Sequence, residues 1–128
     1  MTISGIHHVA IICADYAASK RFYTEILPFS IISEIYREER KSWKLDLQIA
    51  DGTQIELFTF PDAPPRPSYP EARGLRHLAF SVPDIDVAVL SLTQNGVVTE
   101  PIRIDPVTGQ RFTFFADPDG LPLELYEG

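Results

Sequence analysis

Two histidines and two glutamates recur along this chain at nearly constant spacing, and together they make a donor set suited to a divalent cation. His8 and His77 stand 69 positions apart, in GIHHVAIICAD (5–15) and GLRHLAFSVPD (74–84). Glu56 and Glu124 stand 68 apart, in QIELF (54–58) and PLELY (122–126). A carboxylate between large aliphatic residues is costly to bury unless a positive charge compensates it, and no Lys or Arg is paired to both glutamates in the repeat. A divalent cation supplies that compensation. Two neutral imidazoles and two carboxylates leave such an ion formally neutral, with room in an octahedral sphere for two waters or for the paired oxygens of a substrate. Taken singly, each His reads equally as a hydrogen-bonded core or rim residue and each Glu as a solvent-facing strand residue. Their recurrence as the same types at matched places argues for a shared task.

The elements that must position these side chains repeat as well. Period-two alternation puts His8, Ala10 and Ile12 on one face of a strand over 5–13, and His77, Ala79 and Ser81 on the matching face of a strand over 74–82. His7 points the other way, with Arg76 at its place in the second half, and reads as a non-ligand. After the first strand, Asp15 caps a helix whose inward set is Ala18, Phe22 and Ile26 and which Pro28 stops. Strands follow at 30–36, 43–49 and 53–60, the last two joined by an Asp51-Gly52 hairpin turn. The segment PDAPPRPSYP (61–70) holds five prolines and reads as an extended connector. The second half repeats the order: strand 74–82, helix 84–95 ended by Gly96, strand 97–104, strand 110–116, a DPDG turn at 117–120 and strand 121–127. Each half is strand, helix, strand, strand, strand. Residues 1–128 thus read as a single domain of two modules, 5–60 and 74–127, linked by 61–73.

Bulk composition narrows the partners. The 128 residues suffice for one ordinary core, and 11 basic against 18 acidic residues give a net charge of -7, which repels nucleic acid and anionic membrane surfaces. Cys13 is the only cysteine, so no internal disulfide forms, and a lone thiol in an apolar strand is small core filler. The apolar run 9–14 is too short to span a bilayer and lacks the basic flank of a signal peptide. A cytoplasmic protein without targeting or anchoring segment is the expectation.

With these features in hand, the sequence resembles the vicinal oxygen chelate superfamily, the glyoxalase I-like proteins, over essentially its whole length. The resemblance is carried by HVAIICAD (8–15), Phe22-Tyr23, ILPF (26–29), IEL (55–57), GLRHLAFSVPD (74–84), DPDG (117–120) and LEL (123–125). It implies an α+β fold of two βαβββ modules, whose mixed sheet curls into a cup around one divalent metal ion per site. It implies His8, Glu56, His77 and Glu124 as protein ligands, and a homodimer whose sites are assembled from one module of each subunit. By the same resemblance Glu124 is the first candidate for a general base, with Glu56 its partner on the opposite face, in isomerising the hemithioacetal of an α-ketoaldehyde to a 2-hydroxy thioester.

The full set of four ligands separates branches of that superfamily. Fosfomycin-modifying transferases and extradiol dioxygenases generally use two His and one Glu, and drug-sequestering members usually lack the ligands, so a lyase or isomerase acting on a small oxygen-chelating substrate is favoured. A dioxygenase and a non-catalytic module that binds or senses a metabolite stand as alternatives, as does a purely structural metal. Nickel, cobalt, manganese, iron and zinc all suit this ligand set. Members that use glutathione carry an Arg four places after the first ligand and an Asn four after the first Glu, where this chain has Ile12 and Phe60. Arg73 and Arg111 are the candidate contacts for an anionic substrate. Phe58, Phe60, Phe112, Phe114 and Trp43 read as walls or core.

Overall fold

The computed structural model describes residues 1–128, which divide into two compact units, Met1–Pro64 and Pro65–Gly128. Each unit is built on one four-stranded mixed sheet with helical cover, an α+β arrangement. No helix is long and apolar enough to cross a membrane.

In the first unit, β1 (His8–Ile12) leads into α1 (Tyr16–Arg21), a π-helical turn (Phe22–Ile26), then β2 (Ser30–Arg37), β3 (Ser42–Gln48) and β4 (Gln54–Phe58). The sheet order is β1-β4-β3-β2, with β1 parallel to β4 and the other pairs antiparallel. Asp15 caps α1 as expected, its Oδ1 accepting from the Ala18 N–H at 3.1 Å. The inward set differs from the helical spacing of Ala18, Phe22 and Ile26. Leu27 N–H donates to the Phe22 carbonyl five residues back at 2.8 Å, and this wider turn brings Ser19, Phe22, Tyr23 and Leu27 inside while Ala18 stays exposed. They pack with Ile11, Cys13, Leu45, Leu47, Ile55 and Leu57 as the buried set of this unit. The β3–β4 hairpin turns at Asp51, whose Oδ1 accepts from the Thr53 N–H at 2.9 Å. Strand β2 is the outer edge and is bulged between Ile31 and Ser33.

The second unit repeats the plan with β5 (Leu78–Val82), α2 (Ile85–Gln94), β6 (Arg103–Ile104), β7 (Arg111–Ala116) and β8 (Pro122–Glu127), in the order β5-β8-β7-β6 with β5 parallel to β8. Asp84 caps α2 by accepting from the Asp86 and Val87 N–H groups, and Gly96 ends it at φ +79°, a left-handed conformation that glycine adopts without steric cost. The DPDG segment is a tight turn: Gly120 N–H donates to the Asp117 carbonyl at 3.0 Å, and the Asp117 side chain accepts from Asp119 and Leu121. The strand anticipated over 97–104 shrinks to two residues. Glu100 still pairs with β7 through its N–H to the Phe114 carbonyl at 2.9 Å, but Pro101 has no N–H to extend the ladder.

Leu57 is fully buried on the reverse of the β4 face that carries Glu56. Leu57→Ala should cost about 2–5 kcal/mol by leaving a cavity behind the sheet, measured as a lower urea midpoint at unchanged slope.

Candidate metal centre

In the first unit the parallel register sets Ala10 opposite Glu56 and His8 opposite Gln54. Ile11 and Cys13 face inward from β1 and Ile55 and Leu57 from β4, so His8 and Glu56 emerge on the opposite face of the sheet. There His8 Nε2 lies 3.7 Å from Glu56 Oε1. The second carboxylate oxygen, Oε2, is 3.9 Å from Lys44 Nζ, which is itself held by both oxygens of Asp46 at 2.6 and 2.8 Å. Ser33 Oγ donates to Asp46 at 3.1 Å, so Glu56 stands in a polar, charged neighbourhood.

The second unit builds the same pair by the same means. Ala79 lies opposite Glu124, with Leu123 and Leu125 buried on the reverse face of β8. His77 Nε2 is 3.5 Å from Glu124 Oε2. The surroundings differ. Across the β7–β8 ladder Glu124 is opposite Phe114, where Glu56 has Asp46. The His77 ring meets Phe114 edge-on with centroids 5.0 Å apart. The Glu124 side chain is 12% exposed and the Glu56 side chain 15%, yet only Glu56 has an amine beside it.

Each unit offers one imidazole nitrogen and one carboxylate oxygen close together on the face of the sheet opposite its core, donors that suit a divalent cation. Neither unit by itself gathers three or more His, Cys, Asp or Glu side chains in an arrangement that could hold a metal ion. His7, just before β1, does not turn away as alternation implied; its Nδ1 lies 2.9 Å from Nδ1 of His8, and the rings meet edge to face. An adjacent imidazole that can orient His8 was not readable from strand periodicity because His7 precedes the strand.

Of the candidate anion contacts, Arg73 is exposed and lies outside the residues that line the second unit's cavity of about 600 Å³. That cavity includes His77, Arg76, Arg103 and Phe114. Sequence reasoning passed over Arg103 because its strand was drawn too long and its face was unassigned. It also passed over Lys44, whose place beside Glu56 follows from the β3–β4 register. Of the aromatics, Phe58 and Phe60 stack under the Arg37 guanidinium, with its Cζ 4.9 and 5.7 Å from the two ring centres. Trp43 stacks on Tyr16 from α1, on the helical side of the sheet.

Comparison with known proteins agrees with this architecture. The model of the Glyoxalase/Bleomycin resistance protein/Dioxygenase superfamily matches residues 5–125. The uncharacterized protein YaeR of Escherichia coli is 63% identical over 98% of this chain and 97% of its own length. A 2-epi-5-epi-valiolone epimerase from Actinomyces is 30% identical, covering 94% of this chain and 78% of the epimerase. The crystal structure of a glyoxalase family protein from Enterococcus faecalis superposes with a TM-score of 0.92 at 50% identity, over 99% of this chain and all of that one.

Arg111 has a task away from the His77–Glu124 pair. On β7, Thr113 and Phe115 face the core and Phe112 and Phe114 the opposite side, so Arg111 lies on the helix-covered face. Its guanidinium donates to Glu127 through Nε at 3.0 Å and Nη2 at 2.9 Å, and to Asp86 at 3.0 Å. Glu127 also accepts from the Ile85 N–H at 2.9 Å, so the cluster ties the start of α2 to β8. The expected anion grip at Arg111 is therefore corrected to a structural clamp, with Nε and Nη2 committed to Glu127 and Asp86. The Arg111 guanidinium, and secondarily the Ile85 N–H, hold the Glu127 carboxyl below the usual carboxylate range. A lowered folded-state value means stability that is present above the unfolded value and is lost as pH falls through the carboxylate range. Glu127→Gln should therefore lower the melting temperature at pH 7, and the gap from the parent should close on titration towards pH 3.

Proposed function

Because this chain belongs to the glyoxalase/bleomycin resistance protein/dioxygenase superfamily, we propose that it is a metal-dependent lyase or isomerase of the glyoxalase I kind, acting on a small substrate with paired oxygens. The observation that carries this reading is the His–Glu pair written twice, with Nε2 to carboxylate distances of 3.7 and 3.5 Å on equivalent strands. In this reading His8, Glu56, His77 and Glu124 together hold one divalent cation, and two copies of the chain associate so that each site is complete. Bound there, the cation polarises a carbonyl and acidifies the neighbouring C–H.

The chain's own residues divide the remaining work. Glu124 takes and returns the proton next to the carbonyl, because its neighbours Phe114 and His77 leave it no competing amine. Glu56 stays a ligand, with Oε1 toward His8 and Oε2 toward Lys44. Phe114, opposite Glu124 on β7, and Phe112 two residues before it make that side of Glu124 apolar. A relative named as an epimerase is in keeping with an isomerisation built on proton transfer. The Ile12 and Phe60 side chains, 53% and 36% exposed, offer apolar surface where a glutathione-binding member has polar grips, and favour a thiol other than glutathione.

The test strips the protein of metal and reloads it separately with nickel, cobalt, manganese and zinc, counts bound metal, and assays isomerisation of the methylglyoxal hemithioacetals of several thiols. Turnover with one metal is the expected result, and His77→Ala should lower the metal count. Glu124→Gln with metal retained should slow turnover by about 10²–10⁴-fold, and an unchanged rate would overturn the role assigned to Glu124. Bound metal with no turnover on any thiol adduct would leave a binding module in place of the lyase.

A further inference from the structure

The cavity of the second unit carries a charge pattern opposite to that of the chain. Net charge is -7 overall, yet three arginines line this cavity, Arg66, Arg76 and Arg103, against one acid, Glu100. Their availability differs. Arg66 spends its Nη2 on the Leu75 and Arg76 carbonyls at 3.2 and 2.9 Å, and so fixes the approach to β5. Arg76 is paired to Glu71 at 2.9 Å. Arg103 has only Glu100 at 3.7 Å, with both side chains more than half exposed, a contact of small energetic weight.

The Arg103 guanidinium lies over an aromatic shelf, its Cζ 5.0 Å from the Phe112 ring centre and 5.6 Å from that of Phe114. The rings themselves meet at 89°, and this cation–π contact steadies the guanidinium without using its N–H donors, which stay available to an anionic acceptor. The same Phe114 ring also meets His77 of the proposed metal site edge-on, with centroids 5.0 Å apart. Phe114 therefore touches both the imidazole of the proposed metal site and the Arg103 cation, and both line one cavity. The first unit also stacks an arginine on two rings, Arg37 over Phe58 and Phe60, but at a different place in the sheet and with its Nη2 already donating to Ser42 Oγ at 2.9 Å. At the places equivalent to Arg103 and Phe112 it has Ile35 and Lys44, paired in the same register.

We propose that Arg103 is the specificity-determining contact for an oxyanion group, carboxylate or phosphate, on the substrate. The chelating oxygens face His77 and Glu124 while the anionic end lies against the Arg103 edge and the apolar segment between them covers Phe114. The chelating half of this statement rests on the function proposed above; the anion contact does not.

The experiment therefore reads the two separately. Inorganic phosphate, and in parallel acetate, is titrated into the full chain without metal and with nickel, while the Arg103 Nε–Hε resonance is followed and bound nickel is counted. Phosphate or acetate should shift that resonance, and Arg103→Gln should weaken binding at least tenfold while Arg103→Lys weakens it less. Arg76→Gln should change it less than twofold. The stronger of the two anions names the group. An unmoved Arg103 resonance, or equal losses in Arg103→Gln and Arg76→Gln, would overturn the proposal even if nickel binds. Phosphate or acetate held by Arg103 in protein that takes no nickel would keep the anion contact and discard the chelate. A melting temperature for each variant separates loss of the contact from loss of the fold.

Discussion

A parallel pair of neighbouring strands cannot be closed by a hairpin, and in both units the first and last strands are such a pair. The chain must leave β1, cross through a helix, add an antiparallel pair and return beside its starting strand. That return sets a side chain from residue 10 against one from residue 56, and one from 79 against one from 124. The residue from the first strand is Ala each time, and its small side chain leaves open the space above the glutamate into which the histidine two positions earlier leans. Register is fixed by what lies behind: Ile55 and Leu57, and Leu123 and Leu125, are buried on the reverse faces. A slip of one residue would bury the carboxylate and expose both aliphatics, an error penalised on both sides of the sheet.

Within that shared frame the two units have diverged in electrostatics. Lys44 brings a positive charge to Glu56 without any cofactor, and Asp46 and Ser33 extend the polar surface. Glu124 is offered aromatic edges and one imidazole in place of an amine. A carboxylate placed against phenyl rings has fewer compensating partners, so its charge depends more heavily on whatever binds in front of it. The His–Glu pairs are matched in the two units, and the residues facing them on β3 and β7 are not.

The parts of this fold that were legible in the sequence are those determined by local chemistry. Asp15 and Asp84 announce helix starts because their side chains accept from N–H groups a few residues on, and Asp51-Gly52 and DPDG announce turns for the same short-range reason. The His–Glu repeat was legible because strand alternation has no freedom of phase once one face is buried. What escaped depends on partners distant in sequence. The π-helical turn exists because Phe22 and Tyr23 both find room inside, which a 3.6-residue period does not express. Arg111 reads as a free surface cation until Asp86 and Glu127 are brought to it across the sheet and from α2. The extent of β6 was overdrawn because apolar residues at 97 and 98 suggest a strand, while Pro101 interrupts the ladder.

The division between the strands that carry the pair and the elements that flank it has a consequence for how one frame serves different reactions. The His–Glu pairs depend on β1, β4, β5 and β8, where any change of register is costly. Arg103 sits on a two-residue edge strand, and Arg66 and Arg76 lie in the irregular approach to β5; no buried ladder constrains them. Residues at such positions can change charge or size while Leu123, Leu125, Ile55 and Leu57 keep the carboxylates in place. In this chain the rim they form carries three arginines against one acid, opposite in sign to the net charge of -7 of the whole, and it can vary in charge without disturbing the strands behind it.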